Sequence, residues 1–139
     1  MSIQNYAQIQ PPISMGALTD NRGSVAANTT NAMNVMGTIG PFPYPTTVYL
    51  LMTGTYGFGA AASSLNHQVI RTDTSANVCG SGAMQTVAAT SYNYCRYGAV
   101  SLPANTPLPL SGQATVGASN CYITFTMMWF AVPVFQGGL

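Results

Sequence analysis

The stretch Asn120–Phe135, NCYITFTMMWFAVPVF, decides how the chain is read. Its odd positions, Cys121, Ile123, Phe125, Met127, Trp129 and Ala131, are apolar without interruption. A period of two residues is that of a β-strand, whose side chains point alternately to opposite faces. The even positions begin polar, with Asn120, Thr124 and Thr126 around Tyr122, and turn apolar at Met128, Phe130 and Val132. One face is therefore expected to be buried throughout, with Trp129 in the core. The other meets water at its start and is covered at its end. In a chain of 139 residues, the expected cover is a second copy.

The composition fits that expectation. Charged residues make up 4% of the chain, against about 25% in ordinary globular proteins. The ionisable acids and bases are Arg22, Arg71, Arg96, Asp20, Asp73 and His67, with no Lys and no Glu. The chain is not disordered in composition, since 47% of its residues are hydrophobic and disorder pairs low hydrophobicity with high charge. A net charge of +1 leaves almost no repulsion between copies and favours association. So few titratable groups also imply stability that changes little over a broad pH range.

The opening MSIQNYAQIQPP has neither the basic nor the apolar region of a secretory signal. The longest apolar run, Met127–Phe135, contains Pro133 and is far short of the ~20 residues of a membrane helix. These features suggest a protein made in the cytoplasm without a signal peptide and carried in a virion or extracellular particle. Cys79, Cys95 and Cys121 show no metal-ligand spacing and read as buried thiols, the alternatives being one internal disulfide with a free third Cys or a bond between subunits.

Upstream, Thr46–Phe58 alternates as a strand, with Gly54, Gly57 and Gly59 suited to a bulge or bend. His67–Thr74, Ala83–Thr90, Tyr92–Leu102 and Gln113–Val116 are further strand candidates, and Ala60–Leu65 could form one helical turn. Pro103, Pro107 and Pro109 mark a loop, because proline lacks a ladder donor. Met1–Phe42 lacks sustained periodicity, and Asp20-Asn21-Arg22-Gly23 reads as a turn. The expected organisation is an extended N-terminal arm over 1–42, with room for one or two short strands, and, over 43–139, an all-β, antiparallel β-sandwich of jelly-roll-like form.

The chemistry in the sequence is sparse. His67 could meet Asp73 and a serine as a triad, but no G-x-S-x-G elbow is present, and the chain is not expected to be an enzyme. Arg71 and Asp73 read as a modest ion pair. No nucleotide loop, cofactor motif or metal set is found, and three scattered arginines make no face for nucleic acid. Tyr92, Asn93, Tyr94 and Tyr97 are suited to a glycan contact, since sugars take aromatic faces and neutral amides.

The expectation that follows is a self-assembling structural protein, in composition similar to virion and fibre proteins in general. It would serve as a capsid, penton, spike or decoration component from a phage or archaeal virus. Its partners would be itself, with a trimer favoured, and other virion proteins. Subunit contacts are placed at Ile3, Tyr6 and Ile9 of the arm and at Met128, Phe130 and Val132 of the last strand. A lectin-like receptor-binding tip and a filament subunit exchanging its N-terminal arm are the alternatives.

Overall fold

The computed structural model describes residues 13–59, 63–80, 83–86 and 91–134, with side chains described everywhere but at 83–86 and 91. The period-two stretch forms β9 (Cys121–Pro133), and it is paired on both sides. On one flank runs β1 (Ser14–Val25), on the other β3 (Thr46–Phe58), and beyond β3 lies β7 (Ser91–Leu102). The order of this sheet is β1-β9-β3-β7. The second sheet runs β2 (Ala32–Ile39), β8 (Leu108–Val116), β4 (Ser63–Arg71), β5 (Asn77–Cys79), and β6 (Ala83–Thr86) pairs with the first half of β4. All pairs are antiparallel.

Four of these pairs nest inside one another: β1 with β9, β2 with β8, β3 with β7, and β4 with β5. A long hairpin of nested pairs rolled into two facing sheets is a jelly roll. The β-sandwich read from the sequence is thus the fold observed. Among the described residues there is no helix, and none long and apolar enough to cross a membrane.

The core lies between the sheets. From β9 it takes Cys121, Ile123, Phe125, Met127 and Ala131, the face expected to be buried, while Trp129 is half-buried at its rim. Facing them are Leu65 and Val69 of β4 and Leu108, Leu110, Ala114 and Val116 of β8. Gly54 makes room for this packing, since a Cβ there would run into Thr124 O and the Phe125 ring. The bulge expected around Gly54 is absent: β3 pairs without a register break from Thr46↔Pro133 to Phe58↔Cys121.

Several expectations need correction. Much of the stretch read as an extended arm, 1–42, is not an arm: β1 pairs along β9 and β2 along β8. Residues 1–12, with Ile3, Tyr6 and Ile9, lie outside the described residues. The turn expected at Asp20–Gly23 is strand, with a register shift only between Arg22 and Val25. The turn comes later, where Asn28 and Asn31 take φ of 58° and 51°, a left-handed conformation that asparagine tolerates. Pro109 was expected in a loop but lies within β8, opposite Thr38, and its carbonyl accepts from Thr72 N. Ser63–Leu65, part of the expected helical turn, begins β4.

Phe125 touches both layers, stacking on Tyr94 at 5.0 Å and meeting the His67 ring edge-on at 4.5 Å. Phe125→Ala should lower unfolding stability by about 3–5 kcal/mol, measured by urea denaturation. A loss below about 1 kcal/mol would mean that the site collapses to fill the void.

Candidate functional site

Three places in the fold hold chemistry or unpartnered surface. The first is inside. Asp20 points inward from β1 and is fully buried, as is His67 from β4. Asp20 accepts four hydrogen bonds, two on each oxygen. Oδ1 takes Arg22 Nε at 2.7 Å and Asn34 Nδ2 at 2.8 Å; Oδ2 takes Arg22 Nη2 at 2.8 Å and His67 Nε2 at 2.7 Å. That fills the acceptor capacity of a carboxylate. An ionised carboxylate only accepts, so the proton in the last bond is carried by His67 Nε2.

Arg22 continues outward, donating from Nη1 to Ala32 O and from Nη2 to Gly112 O, both at 2.9 Å. One carboxylate on β1 thus ties the first sheet to β2, β4 and β8 of the second. Gly112 is required here, because a Cβ at that position would run into the Asp20 carboxylate. Burial alone would raise the pKa of Asp20. The hydrogen bonds from His67 and Arg22, the Arg22 charge and the Asn34 amide outweigh it and hold the carboxyl well below the usual range.

Sequence reading missed this cluster. The carboxylate beside His67 is Asp20, not Asp73, which pairs with Arg71 at 3.0 Å in the turn after β4. The available signal was D-x-R, which puts both side chains on one strand face in a chain that has almost no other charge. The His67 Nδ1 atom has no hydrogen-bond partner among the described residues, and the His67 ring packs edge-on against Phe125. The arrangement clamps the sheets, and among the described residues the hydrogen-bond partner of the imidazole is the Asp20 carboxylate. Among the described residues no three His, Cys, Asp or Glu side chains are placed to hold a metal ion.

The second place is the outer face of the β1-β9-β3-β7 sheet. Register aligns Met15, Phe130, Tyr49 and Ala99 in one row and Ala17, Met128, Leu51 and Tyr97 in the next. The following rows are Thr19-Thr126-Thr53-Cys95 and Asn21-Thr124-Thr55-Asn93. Half of the face is therefore apolar and half is a ladder of threonine and asparagine, and none of these rows carries a charge. Met15 is 75% exposed and Met128 58%. Phe130 is exposed and stacks on Tyr49 at 5.0 Å, whereas Val132, one row further, is half-buried. A groove of about 710 Å³ runs between Ile13, Met15, Leu51, Met128 and Phe130. Met128 and Phe130 thus lie together on this surface, joined by Met15, Tyr49 and Leu51, which only the strand register brings beside them.

The third place is β7. The residues read as a glycan contact do not form one surface, because strand alternation divides them. Tyr94 is buried against Phe125, its hydroxyl donating to His67 O at 3.4 Å, and Tyr92 is half-buried against Tyr56. Asn93 and Tyr97 point outward. Burial pushes the Tyr94 phenol up to about 12. The cysteines are all free, and one departs from the expectation of buried thiols: Cys95 faces out from β7, while Cys79 and Cys121 are buried and pushed up to about 11 by burial.

The fold defines the chain as a small jelly-roll β-sandwich, and comparison with solved structures agrees. A structure of infectious bursal disease virus, Gx strain, superposes with a TM-score of 0.51 over 92% of this chain at 6% identity. The chain spans about a third of the length of that viral protein (35%). Also similar, at lower TM-scores, are a Bacillus endospore appendage described as a disulfide-linked pilus (0.35; 6% identity; 88% of this chain, 89% of that one) and the Eiger TNF of S. frugiperda (0.40; 10%; 93% and 97%). No family model matches the sequence, and no curated protein matches it.

Asp20→Asn removes the charge that Arg22 faces and should cost about 3–5 kcal/mol, read from the urea midpoint. A loss no larger than that of an exposed Asp73→Asn would contradict the clamp. The pH profile follows from the same groups. Asp20, held low when folded, contributes stability that is complete above the unfolded carboxylate range near ~4 and is lost as pH falls below it. The buried thiols of Cys79 and Cys121, raised from an ordinary 9.0 to about 11, favour the fold fully below 9 and progressively less as pH rises toward 11. Urea midpoints should accordingly be flat from about pH 5 to 8 and fall on both sides. A midpoint that changes steeply within that window would contradict this assignment.

Proposed function

We propose that this chain is a self-assembling structural component of a virus particle, whose role is contact rather than catalysis. The observation that carries the reading is the contiguous apolar half of the outer sheet face: Met15, Tyr49, Leu51, Met128 and Phe130, with no charge in the rows around them. Exposed apolar patches of this kind mark interaction surfaces. The occupant that suits it is a second copy. Its surface is equally uncharged, and at a net charge of +1 nothing drives two copies apart. The jelly roll shared with a segment of a structure of infectious bursal disease virus supports a shell, vertex or spike setting. A closed ring, with a trimer favoured, would present one such face per subunit.

The N-terminal residues extend the reading. Ile13 lines the apolar groove and is preceded in sequence by residues 1–12. Ile3, Tyr6 and Ile9 are proposed to anchor that segment on a neighbouring copy and tie subunits into the larger particle. A virion or other extracellular particle is the proposed location.

Sedimentation velocity on face variants tests the reading. Met128→Glu puts a charge in the apolar half and should weaken association at least about 100-fold, leaving the 14.5 kDa chain. Thr124→Glu, on the polar half, should assemble like the wild type. Equal behaviour of the two variants, or a wild-type monomer at micromolar concentration, would overturn it.

A further inference from the structure

The apolar half of the outer face is a groove rather than a plane. Ile13, then Met15 and Ala17 of β1, Met128 and Phe130 of β9 and Leu51 of β3 line a space of about 710 Å³. Register puts the five strand residues on one face of the sheet. Phe130, stacked on Tyr49 at 5.0 Å, makes one wall aromatic. A concave site of this kind takes a narrow occupant, which a single extended chain is and the flat face of another sheet is not.

The sequence ahead of Ile13 has a matching pattern. Residues 1–12 read MSIQNYAQIQPP, with Ile3, Tyr6, Ile9 and Pro12 at every third position. Gln4, Asn5, Ala7, Gln8 and Gln10 fill the places between them up to Pro11. Three residues is the repeat of a polyproline II helix, so a chain in that form carries the four side chains on one edge. A strand, with a repeat of two, would turn Tyr6 away from Ile3 and Ile9. Pro11 and Pro12 have fixed φ, and each biases the residue before it toward extended backbone.

We propose that residues 1–12 of one copy lie as a polyproline II chain in the apolar groove of a second copy, with Ile3, Tyr6 and Ile9 against its floor. This deepens the assembly reading and rests on it, since the donor is another copy. Polyproline II segments are recognised in aromatic-lined grooves, and being preformed they lose little entropy on docking. In that form Ile3 to Ile9 span ~19 Å. The block from Ile13 to Leu51 measures ~17 Å corner to corner at ordinary strand spacings, so all three anchors reach it. Neither the segment nor the rows of the groove carries a charged side chain, and the contact strips no ion of its water. To enter its own groove the segment would have to reverse direction just before Ile13. Pro11-Pro12 opposes that, because a proline at the third position of a turn forces the residue before it out of the helical region.

Methionine-methyl NMR on the full chain tests the proposal. The acceptor carries Ile3→Ser, Tyr6→Ser and Ile9→Ser, which empties the stripe and alters no described residue. The probe is a synthetic peptide of residues 1–12. The Met15 and Met128 methyl signals should move with added peptide and saturate, while that of Met33, exposed on β2 in the other sheet, stays in place. A peptide with Tyr6→Ala and Ala7→Tyr keeps the composition, breaks the stripe and should bind about tenfold or more weakly. Adding Met128→Glu to the acceptor should weaken the unaltered peptide as much. In sedimentation velocity the serine variant should remain a single chain at concentrations where the wild type assembles. No movement of the Met15 and Met128 signals, or equal binding of the exchanged peptide, would overturn the proposal. If the serine variant assembles as the wild type does, the faces meet without the segment: the proposal fails and the assembly reading stands. A wild type that stays single at micromolar concentration removes the second copy, and both fail.

Discussion

Everything in this molecule is referred to β9, because it is paired on both sides and alternates without a fault. Side chains in a strand repeat every two residues, so a slip by one would turn Phe125 and Met127 outward and bring Thr124 and Thr126 into the core. The unbroken ladder to β3 on one flank and the ladder to β1 on the other remove that freedom. The same ladder sets which residues meet on the outside. Once Phe125 is inside, Phe130 must stand between Met15 and Tyr49, and Met128 between Ala17 and Leu51. The core and the apolar outer block therefore have a single cause.

The second constraint is the near absence of charge. A jelly roll needs its two sheets held in one mutual alignment, and apolar packing alone tolerates sliding. Here three of the chain's six Asp, Arg and His residues converge in one buried cluster at Asp20. A buried ion pair adds little net stability over a well-packed apolar substitute, but it is costly to misalign, because a displaced carboxylate would be left uncompensated. The cluster joins β1 to β2, β4 and β8 at fixed geometry, and Gly112 is small so that it can. The surface is left to Thr, Ser, Asn, Gln and Tyr. One copy can then approach another with little electrostatic cost.

Legibility in the sequence followed the apolar alternation. The strands at Thr46–Phe58, Tyr92–Leu102 and around Cys121–Pro133 could be read because each carries a period of two. β1 could not: its inward positions include Asp20 and Arg22, so the interaction that fixes the strand also erases its hydrophobic pattern. β8 was shortened because Pro109 argued for a loop, although proline fits where its missing N–H is not called upon. Of the outer block, Met128 and Phe130 were legible from β9 alone, whereas Met15, Tyr49 and Leu51 required the register. Tyr94 and Tyr97, three apart in a strand, fall on opposite faces; their spacing already divided them.

The central claim is that another copy of this chain covers the apolar half of the outer face, and methionine oxidation read by mass spectrometry across a concentration series tests it directly. Met15 and Met128 lie in that half, exposed Met33 lies on β2 in the other sheet, and Met52 and Met127 are buried and serve as unreactive controls. With rising concentration Met15 and Met128 should become protected together while Met33 continues to oxidise. If Met15 and Met128 oxidise alongside Met33 at every concentration, the face is open to solvent and the account of it as a contact between copies is wrong.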